Sequence, residues 1–406
     1  MNGIEEVNIL SPNMLSVIGN GFDKAHGMKT SYIDILNFIW TMIDINYQHK
    51  LSPEKQFHAK FLDDLNRSLI FKRPSGSARN RLMSEWDNKY KNSASRKIYE
   101  DKIYQDIMRN AEVLLVDIID YTLAFGNIWL LYFTSVLENR SRNLGEGWID
   151  FEEEIGRVVS AIESILIHRG ENLDKYVDQY IYEFLNKWAP DIITLREKFL
   201  PILNFDFQVF SLWMEEALKV EDGKRTQKKH LNLIQKYEQN IKGVLSYNYT
   251  HTPDIYGLRD NVKFVHGELG KHNLVLGTAE TLSREFENNI VDCISFKKKY
   301  QLMKYKLGNN FKSVFAPANP YIWDAIIYGH SLTPADKYSL GWLFKEGSNE
   351  LFAEHVKTIK IYYYDTASYD QQLKNLSLLI TQDRAMNYIT LGRICFECIQ
   401  QADTIS

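Results

Sequence analysis

The chain has 406 residues, of which 45% are hydrophobic and 25% are charged, and these proportions exclude the disordered, collagen-like and disulfide-scaffold classes. The formal net charge of −4 gives no overall basic field that would draw the protein to nucleic acid or anionic lipid. Three cysteines are too few for a framework of bridges or a four-cysteine zinc site, so we expect a reducing compartment and no metal site. We find neither a signal-peptide pattern nor a stretch of 18 apolar residues, and expect a cytoplasmic protein without a membrane span.

Short apolar runs that predict buried strands occur near the start of the chain and again after residue 240. The first is Met14–Ile18, which ends at a glycine. The later runs are 243–247, 263–265, 273–276, 325–328 and 359–364. Short apolar runs that alternate with helical stretches are typical of parallel strands joined by crossover helices. The sequence therefore predicts an α/β fold with a Rossmann-like, mainly parallel sheet of about six strands.

The long stretch between the first and second runs is predicted to be helical, because its apolar residues recur three and four positions apart. The segments with this spacing are 33–47, 98–124, 151–168, 174–188 and 207–218. We therefore predict a large all-helical insertion after the first strand. In this division residues 1–47 and 241–406 form the α/β domain, and residues 48–240 form the helical insertion domain.

The most specific local signal directly follows the first strand, where residues 17–27 read VIGNGFDKAHG and lead into a helix. Glycines in a strand-to-helix turn let the backbone approach a phosphate, and the start of the helix adds oriented N–H donors. The candidate ligand-binding residues of this turn are Gly19, Asn20, Gly21, Phe22 and Asp23, and His26 is a candidate orienting residue. The spacing is not a complete G-x-G-x-x-G, so a tight turn without a ligand is the alternative.

Polar side chains follow three of the later runs in the same way. Asn248 could orient a ribose hydroxyl or a water, and His266 could act as a general base, since the unperturbed pKa of histidine is about 6.5. Ligands of open α/β sheets bind at the carboxyl ends of the strands. We therefore predict a nucleotide site, although a turn-capping asparagine and a structural histidine are the alternatives when each is taken singly. The other candidate residues are Tyr249, Gly329, His330 and Ser331 for ligand binding, and Asp336 for orientation.

Two further segments give weaker signals. Phe71–Lys97 holds eight Lys or Arg against two acidic residues and is rich in Ser and Asn. It is predicted to be a mobile, solvated loop, with a contact to a phosphate backbone or a partner as the alternative. Cys395 and Cys398 form a C-x-x-C in a short apolar segment without a second pair, so we expect buried, inert thiols.

Several segments, in chain order, resemble the AbiH family of bacterial phage abortive-infection proteins. They are IGNGFDKAHGMKTSY at 18–32, the W-x-D-x-E of Trp148, Asp150 and Glu152, SYNYT at 246–250, VHG at 265–267, LVLG at 274–277 and YGHSL at 328–332. The resemblance covers essentially the whole chain. Asp150 and Glu152 belong to this pattern. Either they form the exposed first turn of a helix, where acids favour the helix dipole, or one of them orients His266 or a ribose.

The same order of motifs is more remotely similar to the sirtuin-like NAD-binding fold. That similarity implies that Asn248 and His266 are the catalytic pair acting on the nicotinamide riboside bond. It also implies that the glycine turn lies near the phosphates, and that Gly329 and Ser331 lie near a ribose. Thr250 stands where an aspartate is expected, so the sequence departs from the sirtuin pattern at the nicotinamide contact. The four zinc cysteines are absent, so the implied relatives are defence NAD hydrolases and not zinc-containing deacylases.

These resemblances predict an anti-phage protein that acts on NAD or a related nucleotide as a glycohydrolase, without a metal. One alternative is a non-catalytic nucleotide-binding sensor or regulator whose helical block binds a partner. A second alternative is a nucleic-acid-directed effector that uses the basic segment 71–97. The expected ligand is a nucleotide, the expected trigger is phage-derived, and assembly as a homo-oligomer is left open.

Overall fold

The structure is a computed structural model. It describes residues 13–51, 94–109, 115–143, 150–168, 177–227, 231–278, 291–308, 323–341, 343–344 and 356–399. The chain divides into two compact units. Unit 1 comprises Met1–Met28, Arg225–His266 and Lys306–Ser406, and unit 2 comprises Lys29–Lys224 and Gly267–Tyr305.

Unit 1 contains a six-stranded sheet in which every neighbouring pair of strands is parallel, with the order β3-β2-β1-β4-β5-β6. The strands are β1 Met14–Ile18, β2 Ile241–Ser246, β3 Val262–Phe264, β4 Trp323–Tyr328, β5 Val356–Tyr363 and β6 Ile394–Cys398. The predicted α/β class and the Rossmann-like parallel sheet are confirmed. β2 and β3 lie on one side of β1, and β4, β5 and β6 lie on the other side. The strand order therefore reverses at β1.

Helices occur in both units. The α-helices of four or more residues, in chain order, are α1 Asn20–Ala25, α2 Tyr32–Leu51, α3 Ala94–Met108, α4 Leu115–Phe125, α5 Ile128–Asn143, α6 Phe151–Ile167, α7 Gln179–Trp188, α8 Leu200–Asp222, α9 Asn232–Tyr237, α10 Lys298–Lys304, α11 Lys337–Leu340, α12 Thr366–Ile380 and α13 Gln382–Thr390. A π-helical turn, Leu195–Phe199, leads into α8.

Both faces of the sheet are covered by apolar side chains, which explains why its strands read as continuous apolar runs. Successive residues of a strand point to opposite faces. Leu15 and Val17 belong to one buried cluster, whereas Met14 and Ile18 belong to another on the other face. The register then aligns the strand ends, because Ile18 of β1 pairs with Ser246 of β2 and with Tyr328 of β4.

One predicted strand is wrong, and one observed strand was not predicted. Residues 273–276 have no regular secondary structure and lie outside the sheet, and the Gln301 side chain supplies hydrogen bonds that a neighbouring strand would otherwise provide. Its amide oxygen accepts the N–H of Leu276 at 2.9 Å, and its nitrogen donates to the Leu276 carbonyl at 2.8 Å. The sixth strand is instead β6, which pairs with β5 and carries the C-x-x-C.

The division into units differs from the predicted domain boundaries. Residues 29–47, expected in the α/β domain, belong to unit 2, as does Gly267–Tyr305. The reason for the first difference is the packing of α2 among the helices. Tyr32 stacks on Phe151 at 4.3 Å between ring centroids, and the indole of Trp40 donates to Thr134 at 2.9 Å.

Unit 2 is built around aromatic side chains and a buried charged network. The Asp206 carboxylate accepts hydrogen bonds from Arg96 at 2.7 Å, Tyr121 at 2.8 Å and the N–H of Ile128 at 2.8 Å. Burial raises the pKa of Asp206, and the Arg96 charge opposes that shift. Arg96 therefore ties α3 to α8 and to the start of α5 through a single carboxylate.

Within the described residues, no single helix is long and apolar enough to cross a membrane. One bent helix pair, Leu115–Phe125 with Ile128–Asn139, has the length and composition of a membrane span, and no other feature supports that assignment among the described residues.

Candidate functional site

The glycine turn after β1 packs directly against the turn after β4. The N–H groups of Gly19 and Gly21 donate to the carbonyls of Tyr328 at 3.0 Å and Gly329 at 2.9 Å, and Phe22 N–H donates to the Gly19 carbonyl at 2.8 Å. A Cβ on Gly21 would lie 2.6 Å from the Cα of Gly329. The glycines therefore permit a close backbone contact within the protein, and these three N–H groups already have protein acceptors.

Asn248 joins the end of β2 to the same turn. Its side-chain nitrogen donates to the Gly19 carbonyl at 2.9 Å, and the side chain is almost completely buried. The Ser246 hydroxyl holds its backbone by donating to the Asn248 carbonyl at 3.0 Å. Because the carboxamide nitrogen is engaged in this way, its Oδ1 is the atom that can accept a hydrogen bond from a ligand or a water.

Asp336 connects the histidines that follow β3 and β4. Its Oδ1 lies 3.0 Å from His266 Nε2, and its Oδ2 lies 3.4 Å from His330 Nε2. His330 Nδ1 accepts the N–H of Leu332 at 2.9 Å, which places the proton of a neutral His330 on Nε2, facing the carboxylate. All three side chains are buried, so Asp336 fixes the ring orientation of both histidines.

Tyr247 fills the space between the two imidazoles. Its ring meets His266 edge-on at 5.2 Å and His330 at 4.3 Å between centroids. Burial, together with the charge of Asp336, raises the pKa of Tyr247 well above its ordinary value. The phenol therefore stays protonated and donates to Ser339 at 2.7 Å.

Three of the predicted residues are buried in the protein and make contacts that hold the glycine turn in place. Asp23 accepts a 2.6 Å hydrogen bond from Thr250, and Phe22 packs edge-on against Tyr328. His26 Nδ1 donates to the Phe22 carbonyl at 2.7 Å, since a carbonyl can only accept, and its Nε2 lies 2.7 Å from the Tyr256 hydroxyl. Phe22, Asp23 and His26 are all buried, and their contacts hold α1 against the sheet.

Other predicted residues reach solvent at this edge of the sheet. Asn20 and Ser331 are exposed at the ends of β1 and β4, and Tyr249 is half-buried. Unit 1 thus brings together every predicted site residue except Asp150 and Glu152.

Asp150 and Glu152 lie in unit 2 and have local partners. The Asp150 carboxylate caps α6 by accepting the N–H groups of Glu152 at 2.9 Å and Glu153 at 3.2 Å. Glu152 forms an ion pair with Lys298 at 2.9 Å. Trp148 lies outside the described residues. Within unit 1, the carboxylate beside His266 is Asp336.

Sequence reasoning missed two amides of α12 that hold the turn after β4. Gln372 donates to the His330 carbonyl at 3.0 Å, and Asn375 donates to the Ser331 carbonyl at 2.8 Å. Both lie on the buried face of α12, among Leu376 and other apolar residues. Amides three residues apart on an otherwise apolar helix face are a signal that could have identified them.

The weaker predictions fare differently. Cys293 is buried, but Cys395 and Cys398 are half-buried free thiols, so the expectation of buried thiols is wrong for β6. Three residues along a strand span roughly 10 Å, which is beyond the reach of a disulfide.

Most of the basic segment 71–97 lies outside the described residues. Its last four residues begin α3, where the predicted loop is wrong and Arg96 is buried.

No group of three or more His, Cys, Asp or Glu that could hold a metal ion occurs in the described part of the chain. The model of the family described as "Bacteriophage abortive infection AbiH" matches residues 15–353. Neither the curated proteins nor the solved structures contain a match to the chain. The family match spans the glycine turn, Asn248, His266 and the Asp336 segment.

Proposed function

The chain belongs to the AbiH family of bacteriophage abortive-infection proteins, and on that premise we propose that it binds NAD or a related nucleotide and hydrolyses its N-glycosidic bond. Family membership supports the role in phage defence. The observation that carries the finer proposal is the oriented pair of His266 and Asp336, 3.0 Å apart, at the same strand edge as Asn248. Depletion of a dinucleotide is a direct way to stop an infected cell.

The geometry supports a distinct role for each polar group. The Asp336 carboxylate, 3.0 Å from Nε2, orients the ring of His266, which is the proposed proton acceptor. Asn248 Oδ1 would accept a hydrogen bond from a ribose hydroxyl or from the attacking water. The buried surroundings of both residues strengthen such contacts, because they lie in a region of low dielectric constant.

In the proposed reaction, the bond between C1′ of the ribose and the nicotinamide nitrogen breaks, and its electron pair neutralises the positive charge of the ring. A water oxygen then forms the new bond to C1′, and the proton that the water loses passes to His266. Asp336 stabilises the resulting imidazolium. The products are nicotinamide and the ribosyl remainder of the substrate.

The phosphates are assigned to groups other than the glycine N–H donors. Because Gly19, Gly21 and Phe22 already donate within the protein, the exposed side chains of Asn20 and Ser331 are the candidate contacts for phosphate or ribose oxygens. This engagement of the turn also favours a second candidate function, a nucleotide sensor that binds without turnover. The two functions differ in whether product is released.

The test is release of nicotinamide from NAD by purified protein, with and without lysate from phage-infected cells. We expect turnover by the wild type and loss of about two orders of magnitude or more in His266→Ala, the range for removal of a general base. His251→Ala is the matched control, since this half-buried histidine of unit 1 lies outside the cluster. Thermal unfolding verifies that both variants are folded.

Equal turnover by the wild type and His266→Ala would contradict the proposed chemistry. An inert wild type under every trigger would also contradict it. Saturable binding of NAD without product would instead support the sensor.

A further inference from the structure

The hydroxyl of Tyr247 is a buried polar group that the proposed chemistry does not use. A phenylalanine would fill the same space between the two imidazoles, so packing does not account for the hydroxyl. The hydroxyl donates to Ser339 Oγ at 2.7 Å, and Ser339 donates in turn to the backbone carbonyl of Asp336 at 3.2 Å. All three residues are buried. Two consecutive hydrogen bonds therefore link the residue that follows β2 to the residue that carries the carboxylate.

Both hydrogen bonds point from Tyr247 toward Asp336. Because burial and the Asp336 charge raise the pKa of Tyr247, the phenol keeps its proton and is the donor. Ser339 accepts from the phenol and directs its own proton to a carbonyl, a group that can only accept. Consecutive hydrogen bonds of this kind strengthen one another, because each polarises the next.

Tyr247 is itself held firmly at the edge of the sheet. Its backbone N–H donates at 2.9 Å to the carbonyl of Ile18, the last residue of β1. Its ring is packed edge-on between His266 and His330. A side chain that is fixed at its backbone and at its ring can define the position of a neighbouring group through its hydroxyl.

Asp336 lies in a short element whose start does not fix its side chain. It ends the 3₁₀ turn Pro334–Asp336 and precedes α11, which has four residues. An aspartate before a helix commonly caps the first N–H groups, but the Asp336 side chain makes no such hydrogen bond. Its carboxylate faces His266 and His330 instead. The hydrogen bond from Ser339 fixes the peptide group from which this carboxylate projects.

We propose that Tyr247 is a positioning residue, which acts through Ser339 to hold the Asp336 carboxylate against Nε2 of His266. An ionised carboxylate can only accept, so at 3.0 Å it places the proton of a neutral His266 ring on Nε2. The effect on turnover rests on the function proposed above. The effect on the His266 proton does not, and it can be measured in a protein without turnover.

The experiment records the ring nitrogens of the full chain, labelled with ¹⁵N-histidine, by NMR at about pH 8, where an unperturbed histidine is neutral. His266→Gln assigns the signal of His266. The wild type should show the Nε2–H form of His266 almost alone. In Tyr247→Phe the ratio of the Nε2–H to the Nδ1–H form should fall about threefold or more, the order expected for loss of one hydrogen bond. Ser339→Ala should lower it at least as far.

Two comparisons distinguish positioning from a general loss of packing. Tyr388→Phe is the matched control, because this half-buried tyrosine of unit 1 donates to the Phe344 carbonyl at 3.4 Å, away from Asp336. It should leave the ratio unchanged. The double variant of Tyr247→Phe and Ser339→Ala should equal Ser339→Ala, since both changes interrupt the same chain of hydrogen bonds. Thermal unfolding verifies that each variant is folded, and Ser339→Ala carries the test should Tyr247→Phe not fold.

An unchanged ratio in the folded variants overturns the proposal, and so does an equal fall in Tyr388→Phe. A double variant in which the two losses multiply would overturn the path through Ser339. Where NAD is hydrolysed, Tyr247→Phe should lower kcat about tenfold with a smaller change in KM, and an unchanged kcat would overturn the positioning role. An inert wild type that shows the expected change in ratio would refute the hydrolase and support the positioning. Turnover by the wild type with an unchanged ratio in the variants would do the reverse.

Discussion

Replacement of Gly329 by alanine tests whether the glycines at the ends of β1 and β4 serve packing within the protein. Gly329 has a φ of +67°, and a Cβ there would lie 2.2 Å from the Phe22 nitrogen and 2.5 Å from the Gly21 carbonyl carbon. A left-handed conformation costs an alanine roughly 1–2 kcal/mol. Overpacking against fixed neighbours adds about 1–3 kcal/mol. We therefore expect Gly329→Ala to lower the free energy of unfolding by roughly 2–5 kcal/mol.

Gly257→Ala separates the two contributions. Gly257 has nearly the same φ, +69°, but a Cβ there would meet nothing within 4 Å. Only the conformational part should appear, so a loss of about 1–2 kcal/mol is expected. The measurement is urea unfolding followed by circular dichroism, with hydrogen exchange of the β1 and β4 amides to locate the loss in unit 1. Equal losses in the two variants would refute the steric argument. A stable Gly329→Ala protein that has lost only nucleotide binding would do the same.

Three further changes probe unit 2 and the free thiols. Arg96→Met should cost about 3–5 kcal/mol in urea unfolding, because it leaves a buried carboxylate unpaired, whereas Lys102→Met, at an exposed ion pair, should cost less than about 1 kcal/mol. Glu215 has a folded pKa below its ordinary value of 4.5, so its stabilisation is fully present above that value and is lost as pH falls through the folded pKa; Glu215→Gln should flatten the fall in unfolding free energy as pH drops below about 4.5. Mass spectrometry after native alkylation should find label on Cys398 and none on Cys293, and the reverse pattern would contradict the burial.

The sheet could largely be predicted because its strands are buried on both faces and their ends carry polar or glycine residues. The sequence could not show that a side-chain amide supplies the backbone hydrogen bonds that a neighbouring strand would otherwise make. The segment around Leu276 has the composition of a strand, yet its hydrogen bonds go to the Gln301 amide of a helix. The composition of β6 is equally apolar, but its two cysteines form a C-x-x-C. The segment was therefore interpreted as a cysteine motif and was not predicted to be a strand.

The sequence could nominate residues for the candidate site, but it could not show how they contact one another. Asn248, His266, His330 and Asp336 could be selected because each follows a strand end, and parallel strands bring such ends to one edge. Their pairing depends on side-chain directions in three dimensions, which a spacing of seventy residues between His266 and Asp336 does not reveal. For the same reason, an aspartate at a helix start, Asp150, could be taken for a site residue, although its carboxylate caps that helix.

The pairing of two histidines with one carboxylate assigns them different chemistry. His330 has Nδ1 on the Leu332 N–H and Nε2 toward Asp336, so neither nitrogen is available to exchange a proton without breaking the turn after β4. That turn is itself strained, since Leu332 has a φ of 57°, and the contact with His330 is part of what maintains it. His330 is therefore assigned a structural role, in which it fixes the position of Asp336. The proposed proton acceptor is His266, whose ring Asp336 orients at Nε2.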